Sequence, residues 1–136
     1  MAPVGILPIL LTLFLFSPTE KGIERAFYQN NARLLYALLS PENQINISLP
    51  EPVSFSDQVS AEQALFLFRQ IYSTFLTFEF YADSELPVIA KKNSLIFKAR
   101  WSFKNKKNND LYVLQVFFYL IKDRDWRITE IKAEKL

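Results

Sequence analysis

Three groups of side chains in this sequence have the types and spacing to do chemistry. Glu79 and Tyr81, with Tyr112 further along, combine a carboxylate with phenols, a set that can move a proton inside an apolar pocket. Lys98, Arg100, Lys104, Lys106 and Lys107 form a basic run with no acid between them, suited to phosphate, nucleic acid or anionic headgroups. Trp101 sits inside that run and offers a broad apolar surface. Glu79, Tyr81, Lys98, Arg100, Trp101 and Tyr112 are therefore the candidate ligand or partner surface.

What the sequence lacks narrows the chemistry further. Its 136 residues include no His and no Cys. The usual general base near neutral pH, the commonest metal ligand, thiolate catalysis and disulfides are all excluded. Gly occurs only as Gly5 and Gly22, so no glycine-rich phosphate cradle or nucleophile elbow can form. No catalytic constellation, cofactor site or metal site is expected. Asp57, Asp83, Asp123 and Asp125 are expected in loops or turns, and Glu79 on a strand face opposite Phe78 and Phe80.

The charge is unevenly distributed. Residues 1–90 carry four bases against nine acids, and residues 91–136 carry twelve against five, within an overall charge of +2. Without aromatics interleaved on the basic side, the pattern reads as a solvated sheet face whose lysines blunt an edge, and it argues against nucleic acid as partner.

The elements that must position these residues follow from hydrophobic spacing. Glu20 to Leu39 reads as a helix with Ile23, Ala26, Phe27, Leu34, Ala37 and Leu38 near one face. Gln44 to Leu49 alternates as a strand and stops at Pro50-Glu51-Pro52. Ser60 and Gln63 form a capping box that opens a second helix, whose Ala64, Leu65, Phe68, Ile71, Tyr72 and Phe75 make an apolar stripe. Near Phe75 the period changes to two, and Leu76, Phe78 and Phe80 are expected on one face of a strand. In Ser94 to Phe103, residues Leu95, Phe97, Ala99, Trp101 and Phe103 share a face. Leu111 to Ile121 is almost wholly apolar, as in a central strand covered on both faces. Asp123-Arg124-Asp125 turns the chain into Trp126 to Ala133, where Ile131 breaks the alternation set by Trp126 and Ile128 and marks a bulge. The fold class is α+β, a curved and mainly antiparallel sheet wrapped around two N-terminal helices. Phe27, Phe68, Ile71, Phe97, Trp101, Phe118 and Trp126 are expected to share one interior.

This order of elements, the capped second helix ending in aromatics, and the last strand Trp126-Arg127-Ile128 resemble the nuclear transport factor 2-like (cystatin-like) superfamily. Phe55-Ser56-Asp57-Gln58-Val59-Ser60-Ala61-Glu62-Gln63-Ala64 resembles the approach to the second helix in a group of uncharacterised exported bacterial domains common in Bacteroidetes. The likeness spans roughly Gly22 to Glu134. It implies a cone between sheet and helices, used by the superfamily's enzymes as a pocket holding Asp, His or Tyr. Here the assignable inward positions are apolar. Gln58-Val59-Ser60 also resembles the loop of a cystatin-type inhibitor, but it falls where a helix is capped.

Met1 to Ser17 carries no charged side chain, and Val4 to Phe16 has the length of a signal-peptide core, short of a membrane span. The expected organisation is an apolar segment over 1–18 and one domain over 19–136. Export to the periplasm or the extracellular space is expected, with an uncleaved anchor as the variant. Asn46-Ile47-Ser48 is a glycosylation sequon. The expected function is a non-catalytic exported domain binding a small apolar ligand or a protein partner, or pairing with a second copy through the sheet face. The alternatives are a His-independent lyase or isomerase using Glu79 and a Tyr, and an electrostatic binder of anionic polymer or membrane through Lys98–Lys107.

Overall fold

The computed structural model describes residues 18–83 and 88–136, and the side chains of 88–91 are not described. The apolar segment Met1–Ser17, on which the export reading rests, lies outside the described residues. Among the described residues, three helices, α1 (Pro18–Tyr28), α2 (Ala32–Tyr36) and α3 (Ala61–Thr74), pack on a seven-stranded sheet. Its strands are β1 (Ile45–Leu49), β2 (Phe55–Val59), β3 (Phe75–Ala82), β4 (Val88–Lys91), β5 (Ser94–Asn105), β6 (Leu111–Asp123) and β7 (Asp125–Lys135). The strand order is β2-β1-β7-β6-β5-β3, with β4 also paired to β5. Every pairing is antiparallel except β1 with β7. This is the α+β architecture expected of the sequence.

The first helix is broken where continuity was expected. Asn30 takes a left-handed backbone with φ of 49°, and Asn31 caps α2 by accepting from the N–H groups of Arg33 and Leu34 at 3.0 and 3.2 Å. Asn tolerates that conformation better than most residues, and its short side chain competes for backbone donors. The break shifts the helical phase, so Leu35 and Leu39 are buried while Leu34 and Leu38 are only half-buried. The capping box forms as expected. Ser60 Oγ accepts from the Gln63 N–H at 3.1 Å, and Gln63 Oε1 accepts from the Ser60 N–H at 2.9 Å.

Two bulges set the faces of the sheet. In β7, Tyr119 pairs with Glu130 and Leu120 with Ile128, leaving Thr129 as the extra residue. Ile128 and Ile131 both face the core as a result. In β3 the register slips between Thr77 and Glu79, which corrects the expected alternation. Thr77 and Phe80 point inward, and Leu76, Phe78 and Glu79 are exposed.

The interior is aromatic. Phe27 stacks on Phe80 with centroids 4.5 Å apart, and it meets Phe68, Tyr72, Trp101 and Phe118 edge to face at 5.2 to 6.1 Å. Edge-to-face contacts of this kind add roughly 0.5–1.5 kcal/mol each beyond burial. Six of the seven expected core residues are buried, and Trp126 is half-buried against the same cluster.

Candidate functional site

The sheet separates the residues that the sequence offers as a proton-transfer set. Glu79 pairs across from Ser102 on the outer face and is exposed to solvent. Tyr112 pairs with Phe103 on the inner face, stacking on it at 5.6 Å and meeting Phe75 edge to face at 6.3 Å. A carboxylate and a phenol on opposite faces of one sheet cannot share a proton. Tyr81 lies on the outer face with Glu79, paired with Arg100, and is 39% exposed, so no apolar pocket encloses it. Trp101 must also leave the surface set. It is only 1% exposed, with its ring stacked on Phe103 at 4.0 Å and its indole N–H donating to Thr77 Oγ1 at 2.8 Å.

The remaining candidates share the outer face of the sheet. Lys98 pairs with Phe117, and its ammonium sits 5.8 Å from the centre of that ring, a weak cation–π contact. Arg100 lies between Tyr81 on β3 and Gln115 on β6, and its Nε is buried without a hydrogen-bond partner. The Gln115 amide donates to the Asp83 carboxylate. Lys106 and Lys107 lie in the turn from β5 to β6, outside the face itself.

Strand β6 departs from expectation in the way that bears most on function. Its inward residues Leu114, Val116, Phe118 and Leu120 are buried beneath the helices. Its outward residues are apolar too except Gln115, and no described element covers them. Val113 is 39% exposed, Leu111 and Ile121 are exposed, and Phe117 and Tyr119 are half-buried. The expectation of cover on both faces holds for one face only.

Two features were missed by sequence reasoning. Phe55–Val59 was not read as a strand because Ser56, Asp57 and Gln58 interrupt its apolar pattern, yet it pairs with β1 as a hairpin around Pro50–Ser54. Asp57 is consequently a strand residue, opposite Ile47, and not a loop carboxylate. Beside it, α3 borders two adjoining open concavities that share Leu67 and Gln70, one of about 350 Å³ against β2 and one of about 260 Å³ against Pro52, Val53 and Phe75. Glu20, the acid in the first turn of α1, is buried, which nothing in the local sequence pattern signals. Among the described residues no group of three or more His, Cys, Asp or Glu could hold a metal ion.

No family model and no curated protein matches the sequence. Solved structures do match over most of the chain. A ketosteroid isomerase-like protein from Erwinia carotovora atroseptica aligns with a TM-score of 0.70 at 12% identity, covering 91% of this chain and 95% of its own. A DUF4783 family protein from Bacteroides ovatus aligns at 0.66 and 15%, covering 85% and 93%. A protein of ketosteroid isomerase-like fold from Catenulispora acidiphila, in complex with trimethylamine, aligns at 0.64 and 9%, covering 86% and 84%. At these identities the likeness speaks to architecture alone, and the architecture of this chain is the nuclear transport factor 2-like fold.

Proposed function

We propose that this chain is a non-catalytic binding module that engages a protein partner through the outer face of its sheet. The observation that carries the reading is the outward row of β6, where Leu111, Val113, Phe117, Tyr119 and Ile121 flank the single polar residue Gln115 and have no covering element among the described residues. A strand apolar on both faces belongs between two layers, and exposed apolar stretches rimmed by charge mark protein contacts. Lys98 and Arg100 on β5 and Glu130, Lys132 and Glu134 on β7 supply that charged rim. A ligand site within the cone has less support, because the Phe27 ring takes up the centre where an apolar ligand would lie. A Glu79-based enzyme has less support for the same geometric reason: its acid and its inner-face phenol are on opposite sides of the sheet.

Photo-crosslinking in the native host tests the reading, with p-benzoylphenylalanine placed at 113 or 117 and, for comparison, at 107 in the turn. Adducts with one protein partner, or with a second copy of the chain, from 113 and 117 but not from 107 support it. An outer face that gives no adducts overturns it. Export through the Met1–Ser17 region belongs to the same proposal. N-terminal sequencing of protein from the host is expected to find that region removed, and an intact Met1 in a cytoplasmic fraction overturns that part.

A further inference from the structure

On the other side of the sheet, β2 is an end strand whose second edge pairs with no described strand. The Gln58 N–H faces that free edge and donates at 2.7 Å to the carboxylate of Asp57, its own neighbour. Alternation along an antiparallel strand turns the Ser56 N–H to the same edge. Phe55, Asp57 and Val59 point to the helix side, paired with the buried Leu49, Ile47 and Ile45. On helix α3, Phe66 is 61% exposed and lines the groove beside β2 together with Leu67 and Gln70. The concavity beside β2, floored by Phe55, Val59, Phe66 and Leu67 with Asp57, Gln63 and Gln70 among them, thus lies next to an edge with open backbone groups.

We propose that this groove takes an extended segment of a protein partner as an added strand beside β2. The segment is apolar at alternate positions and carries Lys or Arg at the position opposite Asp57. Strand addition of this kind draws affinity from main-chain hydrogen bonds and selectivity from alternate side chains. Apolar residues of the segment rest on Phe66, Leu67, Phe55 and Val59. A segment carbonyl takes over the Gln58 N–H, which frees the Asp57 carboxylate for the incoming ammonium or guanidinium. A second copy of this chain is a poor occupant. Asp57 is the middle residue of β2, so antiparallel pairing of two β2 edges over their full length sets Asp57 against Asp57, a like-charge contact that disfavours that register, and shifted registers shorten the pairing.

The test uses the full chain and a blocked peptide, acetyl-Thr-Val-Thr-Lys-Thr-Val-Thr-amide, followed by amide NMR. At millimolar peptide, saturable shifts are expected at Ser56, Gln58, Leu67 and Gln70, with slowed hydrogen exchange at the Ser56 amide. A peptide with Glu in place of Lys is expected to bind about fivefold more weakly, the upper range of one cross-strand charge contact. Asp57→Lys is expected to reverse that preference, and the exposed position of Asp57 leaves the fold intact. No shift at β2, equal binding of the Lys and Glu peptides, or an unchanged preference in Asp57→Lys each overturns the proposal. Because the outer face and this edge are read by different probes, either can fail alone.

Discussion

The indole N–H of Trp101 donates to the hydroxyl of Thr77 across 2.8 Å, joining β5 to β3 inside the aromatic core. The contact exists because the β3 bulge turns Thr77 inward, where strict alternation from Phe80 would have placed Phe78. Thr77 in turn donates its backbone N–H to the Asn30 side chain at 3.3 Å, tying the bulge to the break between α1 and α2. One polar chain therefore links helix break, bulge and central Trp.

Trp101→Ala is expected to cost about 3–5 kcal/mol, because it leaves a large void in a filled core. Thr77→Val keeps the shape but strands a buried indole donor, at a cost of about 1–3 kcal/mol. Denaturant unfolding measures both. A loss under ~1.5 kcal/mol for Trp101→Ala, of the size seen for tolerated core swaps, would place the Trp on a pocket wall instead.

Phe27 meets five aromatic neighbours, so Phe27→Ala removes the centre of the packing. A destabilisation of about 3–5 kcal/mol is expected, together with a cavity lined by Phe80, Trp101 and Phe118. Apolar cavities of this kind stay dry and accept small aromatics. Benzene or indole should therefore raise the melting temperature of Phe27→Ala and leave the parent chain unchanged. A rise in the parent would reveal an open cone.

The Tyr72 hydroxyl is buried with no hydrogen-bond partner, and burial raises its pKa well above the ordinary value of 10.0. The folded state holds this proton more tightly than the unfolded chain does. Stability is thus complete below pH 10 and falls as pH rises beyond it, since only the unfolded phenol ionises there. Tyr72→Phe removes the unpaired hydroxyl, so it should stabilise at neutral pH, by up to about 1–3 kcal/mol of recovered desolvation, and should flatten the alkaline loss. Chemical denaturation at pH 7 and above pH 10 reads both effects. A destabilised Tyr72→Phe with an unchanged alkaline slope would refute the assignment.

The basic residues on and beside the outer face are expected to bind polyanions only weakly. Five bases neutralise roughly 3–5 phosphates, and such contacts fall steeply with salt. Lys98 is also occupied over the Phe117 ring. Fluorescence anisotropy with a short labelled DNA should show binding gone by ~0.3 M salt, well above the physiological ~0.15 M. Sequence-selective binding, or binding that persists, would restore an electrostatic role.

Much of the fold was legible in strictly local signals. The Ser60–Gln63 box, the β5 row from Leu95 to Phe103 and the Ile128–Ile131 irregularity each arise from side-chain period or from a cap only a few residues long. The candidate site was less legible. Glu79 and Tyr112 look compatible as a pair of residue types, and only the register of β3, β5 and β6 puts them on opposite faces. β2 went unread for a related reason: a short end strand needs no continuous apolar face, because its stability comes from β1.

The sequence by itself determined the classes of residue available, with no His, no Cys and two Gly, and the hydrophobic periods that build an α+β sheet around aromatic helices. It also determined that residues 111–121 are apolar on both faces but for Gln115, since composition and alternation are properties of the chain alone. Only the tertiary structure decided which of those faces is covered, that Phe27 lies at the centre of the cone, that Trp101 turns its indole to Thr77, and that Asp57 lies at a free edge over α3. Each of these depends on long-range register. A single-residue bulge reverses every side chain beyond it, so no local pattern carries that information.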